Sequence, residues 1–136
     1  MRREPAEAVP YQDRRAVKEV GAVADCIFCK IAAGEIRSDI VHQDERVVAF
    51  RDINPQAPTH VVLIPRQHVA SLNDLGAQHD EVIGYLVRVA AQIAEDEGFA
   101  KQGYRIVANC GPAAGQSVDH VHFHLLGGRP LGWPPG

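Results

Sequence analysis

The chain has 136 residues, and its 14 Lys and Arg against 17 Asp and Glu give a formal net charge of -3. This length suits one compact domain that buries a core without disulfide bonds. The slight negative charge disfavours a protein whose main partner is nucleic acid or an anionic membrane, and no apolar run is long enough for a signal peptide or a membrane span. We therefore expect a cytoplasmic protein with neither kind of partner.

The first 24 residues mix both charge signs with alanines and contain Pro5 and Pro10. Such a stretch offers little apolar surface to bury, so residues 1–24 are predicted to form a flexible or loosely docked extension. The folded domain is predicted to span residues 25–136.

A short helix is predicted directly after this extension. Asp25 can cap its start and Gly34 can end it, while Cys26 and Cys29 fall three residues apart on one side. A Cys-x-x-Cys pair is either redox-active or half of a zinc site. No strand precedes the pair, as a redox motif would require, so a zinc half-site is favoured if two more ligands exist. The third cysteine, Cys110, stands apart.

Three strands are predicted next. Residues 40–43 and 47–52 flank a polar turn and are typical of a hairpin, and the apolar run 60–65 is typical of a central strand. His68 follows this run, where it is either an ordinary surface residue or a metal ligand.

One long helix is predicted from about residue 77 to residue 97, where apolar residues recur with the helical period before Gly98. Another strand, 103–109, leads into a loop. There Gly115 lets the backbone approach a ligand, and Gln116, Ser117 and exposed backbone amides can donate hydrogen bonds to phosphate. A plain hairpin loop remains the alternative.

Three histidines follow the loop at alternate positions, His120, His122 and His124. In a β-strand over residues 119–126 they would project from one face, with apolar residues on the other. Each imidazole has two polar nitrogens that need partners when buried, so metal binding, phosphate binding or catalysis is favoured over a half-exposed strand that happens to carry histidines. In the tail, Trp133 lies between prolines and could pack on a neighbour or cover a site.

These motifs together resemble the histidine triad (HIT) family, because residues 120–126 fit the pattern His-φ-His-φ-His-φ-φ, where φ is apolar. The resemblance covers roughly residues 25–136, and its ending looks like the Hint branch, the histidine triad nucleotide-binding proteins. The motifs that carry it are residues 26–31, 50–60, 64–68, 115–117, 120–129 and 133–136.

The resemblance implies an α+β, HIT-like fold with an antiparallel sheet of about five strands, one long helix and one short helix, assembled as a homodimer. It implies hydrolysis of purine nucleoside 5′-phosphoramidates, such as those of adenosine, to AMP and an amine. Two alternatives stay open: a dinucleoside polyphosphate hydrolase or nucleotidyl transferase, and a zinc-stabilised nucleotide-binding module in which turnover is incidental.

The resemblance also assigns roles to residues. His122 would be the nucleophile that forms a nucleotidyl-histidine intermediate, and His124 and His60 would line the phosphate. The nucleotide would be held by Asp52, Ile53, Phe28, Phe50, Asn109, Gly115, Gln116, Ser117 and Trp133. A structural zinc ion would be bound by Cys26, Cys29, His68 and His120, which leaves no open coordination position for a catalytic water.

Overall fold

The computed structural model describes residues 25–136 of the chain. The extension predicted for residues 1–24 lies outside the described residues. The described part contains two α-helices, α1 (Ile27–Ala32) and α2 (Asp80–Asp96), and five strands, β1 (Ile40–Gln43), β2 (Val47–Arg51), β3 (Thr59–Pro65), β4 (Tyr104–Val107) and β5 (Phe123–Gly127).

The five strands form one sheet in the order β1-β2-β3-β5-β4, and every neighbouring pair is antiparallel. β1 and β2 form the predicted hairpin, and β3 lies in the middle of the sheet, as its nearly continuous apolar sequence predicts. The α+β fold class is confirmed.

The two faces of the sheet carry different side chains because neighbouring residues of a strand point to opposite sides. On one face, which we call the α2 face, Leu63 and Leu125 pack against α2. On the other, which we call the α1 face, Phe50 and Val62 pack with Ile31 of α1. His124 pairs with Val62 across β3 and β5, so it lies on the α1 face.

Most of the buried apolar side chains that come from helices belong to α2. A short 3₁₀ turn, Ala77–His79, precedes it, so the predicted start near residue 77 corresponds to this turn. Leu86, Val89 and Ile93 are buried on one stripe, and such side chains contribute roughly 1.5–3 kcal/mol each when fully buried. At the other end, Gly98 takes a positive φ of 90° and its N–H bonds to two carbonyls of the last helical turn.

The predicted cap of α1 is wrong. The N-cap residue is Cys26, not Asp25, and the Cys26 Sγ accepts a hydrogen bond from the Cys29 N–H at 3.3 Å. The sulfur takes this place because the buried Cys26 side chain is turned toward the cluster described below, whereas Asp25 is exposed. Gly34 ends the helix as predicted, with a positive φ of 80°.

The predicted start of the histidine strand is also wrong, since regular pairing begins at Phe123 and not near residue 119. The His120 N–H bonds to the Val118 carbonyl at 2.9 Å, and the Val121 N–H bonds to the Val69 carbonyl at 2.7 Å. These bonds bend the backbone out of the sheet just before β5. None of the helices within residues 25–136 has the length and apolar character needed to cross a membrane.

Candidate active site and metal centre

Four side chains meet beside the start of α1, although they come from three separate segments. Cys26 and Cys29 lie on the first turn, His68 follows β3, and His120 precedes β5. The Sγ of Cys29 lies 3.4 Å from the Nδ1 of His68, and the Nδ1 of His120 lies 3.4 Å and 3.6 Å from the two sulfurs. The structure therefore brings together all four predicted metal ligands.

The spacing of this Cys26–Cys29–His68–His120 cluster fits a zinc ion. With Zn–S of about 2.3 Å and Zn–N of about 2.0 Å, a tetrahedral site separates sulfur from nitrogen by about 3.5 Å. The observed separations match this value, and all four ligand atoms lie within 4.8 Å of one another. Two thiols and two imidazoles are also a donor set that zinc prefers.

His120 presents the correct nitrogen to this cluster. Its Nε2 lies 2.8 Å from the Pro65 carbonyl oxygen, which can only accept, so the ring proton is on Nε2 and Nδ1 keeps its lone pair. Burial lowers the pKa of His120 to about 4. The ring is therefore neutral near pH 7, as a metal ligand must be.

His122 has the opposite arrangement. Its Nδ1 lies 2.7 Å from the His120 carbonyl oxygen, so Nδ1 carries a proton and the neutral form of the ring has its lone pair on Nε2. Within residues 25–136 this Nε2 has no hydrogen-bond partner. The ring is buried, and the edge-on ring of Phe28, 5.0 Å away between centroids, holds it in place. A neutral imidazole with one oriented free nitrogen can act as a nucleophile.

His60 and His124 form a hydrogen-bonded chain beside His122. The Gln56 N–H donates to the Nδ1 of His60 at 3.0 Å, so the proton of a neutral His60 is on Nε2, which donates to the Nδ1 of His124 at 2.9 Å. His124 must then carry its proton on Nε2. This Nε2–H has no acceptor within the described part of the chain, and the ring lies 5.1 Å from that of His122.

The electrostatic environment keeps this chain uncharged. Burial, with smaller contributions from His122 and His60, lowers the pKa of His124 to about 4, against the opposing effect of Asp52. Burial also lowers the pKa of His60, although Asp52, with Oδ2 at 3.4 Å, opposes the shift. Both imidazoles are therefore neutral near pH 7, and they act as hydrogen-bond groups with fixed direction.

The predicted nucleotide-binding residues differ in their surroundings. Phe28 and Phe50 pack edge to face with centroids 5.5 Å apart, so they form one apolar wall. Ile53 is 98% exposed and Trp133 is 83% exposed, which is unusual for large apolar side chains. Among residues 25–136, Trp133 makes no ring contact.

The loop before the histidines is held by Gln116. Its Oε1 accepts from the Gly111 N–H at 2.9 Å, and its Nε2 donates to the carbonyls of Ala70 and Val118. The backbone N–H groups of Gly115 and Gln116 bond within the loop as well. These groups shape the loop and are not exposed donors, which differs from the expectation for this segment.

Two other predicted residues of this region have free polar groups. The side chains of Ser117 and Asn109 have no hydrogen-bond partner within residues 25–136. Ser117 is exposed and lines a cavity of about 370 Å³ that Cys26 and His68 also line. The side chain of Ser117 therefore borders a cavity beside the Cys26–Cys29–His68–His120 cluster.

The sequence model of the HIT domain matches residues 33–131. The chain belongs to the HIT family. The family predicted from the motifs is thus confirmed. A protein of Escherichia coli (strain K12) named "Purine nucleoside phosphoramidase" is 54% identical over 108 residues, which are 79% of this chain and 91% of that protein.

Two further members support the same family assignment. The "14 kDa zinc-binding protein" of Zea mays is 52% identical over 112 residues, covering 81% of this chain and 87% of that protein. The crystal structure of a HIT family hydrolase from Legionella pneumophila Philadelphia 1 superposes with a TM-score of 0.81 at 47% identity, over 82% of this chain and 100% of that chain.

Sequence analysis missed one contact of this HIT site. The guanidinium of Arg129 donates to the Gln56 carbonyl oxygen from Nε at 3.3 Å and from Nη2 at 2.9 Å. Gly128, with a positive φ of 96°, turns the chain after β5 toward this contact. Arg129 therefore holds the residue whose N–H fixes the proton on His60. In the sequence, only the glycine pair before Arg129 hinted at this contact, because the group that Arg129 binds is a backbone carbonyl, which every residue has.

Proposed function

We propose that this HIT protein is a purine nucleoside phosphoramidase that hydrolyses adenosine 5′-phosphoramidates to AMP and an amine. The observation that carries the proposal is the free Nε2 of His122, beside the proton on the Nε2 of His124. The 54% identity with the Escherichia coli phosphoramidase over most of both chains supports the same conclusion. The protein is a hydrolase.

The first step is attack on phosphorus. The Nε2 lone pair of His122 forms a bond to the α-phosphorus while the bond from phosphorus to the amine nitrogen breaks. The ring becomes cationic, and its Nδ1–H keeps its bond to the His120 carbonyl oxygen, which stabilises the new charge. Because this bond exists before the substrate binds, the nucleophile needs no reorientation.

The departing amine takes its proton from a water molecule, because a neutral imidazole can donate a hydrogen bond but is too weak an acid to give up its N–H. A neighbouring imidazole can hold the departing nitrogen by such a hydrogen bond. The Nε2–H of His124 is the nearest donor to His122 that has no other acceptor within residues 25–136. His60 supports this donor, because its own Nε2–H binds the Nδ1 of His124 and excludes the other tautomer. In the second step, the hydroxide formed from that water attacks phosphorus while the bond from phosphorus to the Nε2 of His122 breaks, so AMP is released and His122 returns to its neutral form.

The remaining predicted residues position the nucleotide. Phe28 and Phe50 provide an apolar wall for the purine, with Ile53 as an exposed side chain that the base can cover. Asp52 keeps one carboxylate oxygen for ribose hydroxyls, since its Oδ1 binds the Asn54 N–H. Ser117 and Asn109 can donate to phosphate oxygens, Gly115 and Gln116 shape the loop that carries Ser117, and Trp133 would cover the bound nucleotide.

The Cys26–Cys29–His68–His120 cluster would hold one structural zinc ion. A bound zinc ion would link α1 to the segments after β3 and before β5 through four strong bonds. His120 connects this cluster to the reaction, because its carbonyl oxygen fixes the tautomer of His122. Assembly into a homodimer and a cytoplasmic location remain predictions.

The test is the release of AMP from an adenosine 5′-phosphoramidate by the purified protein. We expect steady turnover and, when the reaction is stopped during turnover, an adenylyl group attached to the peptide that contains His122. A matched assay with a diadenosine polyphosphate should show much slower turnover. Faster turnover of the dinucleotide, or tight AMP binding without any hydrolysis, would contradict the proposal.

A further inference from the structure

A carboxylate behind the sheet holds both ends of the loop that carries Asp52. Glu97, the C-cap residue of α2, accepts hydrogen bonds from Arg51 and from Thr59. Arg51 ends β2 and Thr59 begins β3, so these two residues flank the loop 52–58. We propose that Glu97 is a positioning residue, and that its contacts, which we call the loop clamp, fix the shape of this loop for nucleotide binding.

The alternation of side chains along β2 and β3 places the loop clamp on the back of the site. The side chains of these strands that pack against α2 stand at odd-numbered positions, namely Val47, Ala49, Val61 and Leu63. Arg51 and Thr59 continue the same alternation, so they also project from the α2 face. Asp52 and His60 follow them directly and project from the α1 face, where Oδ2 and Nε2 lie 3.4 Å apart. The loop clamp therefore fixes from behind the backbone that carries two residues of the site.

The contact of Arg51 with Glu97 is a directed ion pair. The Nη2 of Arg51 lies 2.6 Å from the Oε2 of Glu97, and its Nη1 lies 3.3 Å from Oε1, so each carboxylate oxygen has a guanidinium donor. Two parallel charge-assisted bonds fix the angle of the contact as well as its length. The hydroxyl of Thr59 donates to the same Oε1 at 3.4 Å. One carboxylate thus connects the two ends of the loop.

Helix stability alone does not account for an acidic residue at this position. The free carbonyls of the last turn give the C-terminal end of a helix a partial negative charge, which disfavours an acidic side chain. The last turn of α2 contains no basic residue, and two further acids, Glu95 and Asp96, precede Glu97. Arg51 supplies the positive charge that this end of the helix lacks, and it does so from the strand that leads into the loop.

The shape of the loop determines where Asp52 points. The Asn54 N–H binds the Oδ1 of Asp52 at 2.8 Å, and the Asp52 N–H binds the His60 carbonyl oxygen at 3.0 Å. His60 has further support, because β3 pairs with β5 and because Arg129 binds the Gln56 carbonyl oxygen. Loss of the loop clamp should therefore weaken nucleotide binding more than it slows the chemical steps.

Hydrogen exchange tests the loop clamp without any nucleotide. Glu97→Ala should speed exchange of the amides of residues 52–58 by about 3–5-fold and leave the amides in the middle of β3 unchanged. Asp96→Ala is the matched control, because the Asp96 carboxylate binds Gln92 within α2 and does not reach the loop. Unchanged exchange in the Glu97→Ala variant, or equal acceleration in both variants, would overturn the loop clamp.

The effect on nucleotide binding rests on the proposed function and is measured separately. Arg51 is 40% exposed and Glu97 is 24% exposed, so Glu97→Ala should weaken AMP binding in calorimetry and raise KM by about 3–5-fold only. Removal of a negative charge would by itself favour the AMP anion, so weaker binding indicates lost positioning. Because the site keeps its own contacts to His60, kcat should change by less than about 2-fold.

A double-mutant cycle tests whether Arg51 and Glu97 act together. Arg51→Gln should weaken AMP binding about as much as Glu97→Ala does, and the double variant should bind AMP no more weakly than either single variant. Losses that add, or a loss confined to kcat, would overturn the role of Glu97. A protein whose loop exchanges as expected, but which neither binds nor releases AMP, would instead contradict the proposed function.

Discussion

The two ends of the histidine run use the same side chain in opposite ways. At the metal end, His120 donates its Nε2–H to the Pro65 carbonyl and turns Nδ1 toward two sulfurs. At the catalytic end, His122 donates its Nδ1–H to the His120 carbonyl and leaves Nε2 free. The free nitrogen of each histidine is therefore determined by which ring nitrogen donates to a backbone carbonyl.

The two ends are also connected. His120 belongs to the metal end through its ring and to the catalytic end through its carbonyl oxygen. A change that moves the His120 backbone therefore alters the orientation of His122. If the two ends have these separate roles, substitutions at each end should lower turnover by different amounts.

Replacement of His122, the proposed nucleophile, should have the largest effect. We expect His122→Ala to lower kcat for phosphoramidate hydrolysis by at least about 1,000-fold, because no other group can form the covalent intermediate. Rates of AMP release measure the change. His42→Ala is the matched control, since His42 lies on β1, pairs with Asp44 outside the site and should keep near-normal turnover. Comparable losses in both variants would show that His122 has no special role.

Disruption of the metal end should have an intermediate effect. The double variant Cys26→Ser, Cys29→Ser should lose its bound zinc, melt at a lower temperature and turn over about 10–100-fold more slowly, because His120 no longer anchors His122. Metal analysis, thermal unfolding and AMP release are the measurements. Cys110→Ser removes the remaining cysteine and should keep its zinc. Full turnover by a zinc-free double variant would break the connection through His120.

Part of this site could be predicted from sequence because side-chain identity carries it. The alternation of His120, His122 and His124 with apolar residues indicated that the three rings lie together, and in the structure Phe28 contacts the rings of His120 and His122, and His124 lies beside His122. The Cys-x-x-Cys spacing indicated two neighbouring sulfurs, and the structure brings them to His68 and His120. These features depend on residue types at fixed intervals, which the sequence displays directly.

Other features could not be predicted because backbone atoms create them. A period of two indicated a strand from residue 119, yet the bonds made by the N–H groups of His120 and Val121 delay the strand to Phe123. The cap was assigned to Asp25 on residue preference, whereas tertiary contacts of Cys26 decided it. The contact of Arg129 with a backbone carbonyl left no comparable pattern.

Loosening the support of His60 should have a smaller effect. Arg129→Gln removes both bonds to the Gln56 carbonyl, so the Gln56 N–H fixes the His60 tautomer less firmly, and kcat should fall about 3–10-fold. The pH dependence of kcat should shift as well, and Arg129→Lys should restore part of the rate. Arg105→Gln is the matched control, because Arg105 likewise donates to a backbone carbonyl oxygen, in its case that of Gly132 in the tail. An equal effect in both variants would indicate a general role of the tail.

A change far from both ends should affect stability and leave turnover unchanged. Burial of Asp44 would raise the pKa of its carboxyl, but hydrogen bonds from His42, Tyr85 and two backbone amides outweigh burial, and the pKa lies below its usual value of 3.8. The carboxylate therefore stabilises the fold above pH 3.8, and this contribution is lost as pH falls below that value.

Asp44→Asn should accordingly cost about 1–3 kcal/mol of unfolding free energy near neutral pH. The difference from the unaltered protein should shrink near pH 3. Urea unfolding at both pH values measures it. A difference that stays constant would show that the charge of Asp44 contributes nothing.

The backbone hydrogen bonds of the site have a consequence for its evolution. The proton positions on His120, His122 and His60 are set by the carbonyls of Pro65 and His120 and by the N–H of Gln56. A point mutation can change a side chain, but it cannot delete a carbonyl, and only proline deletes an N–H. Residue 56 can therefore change to any residue except proline and still supply the N–H that keeps the proton of His60 on Nε2.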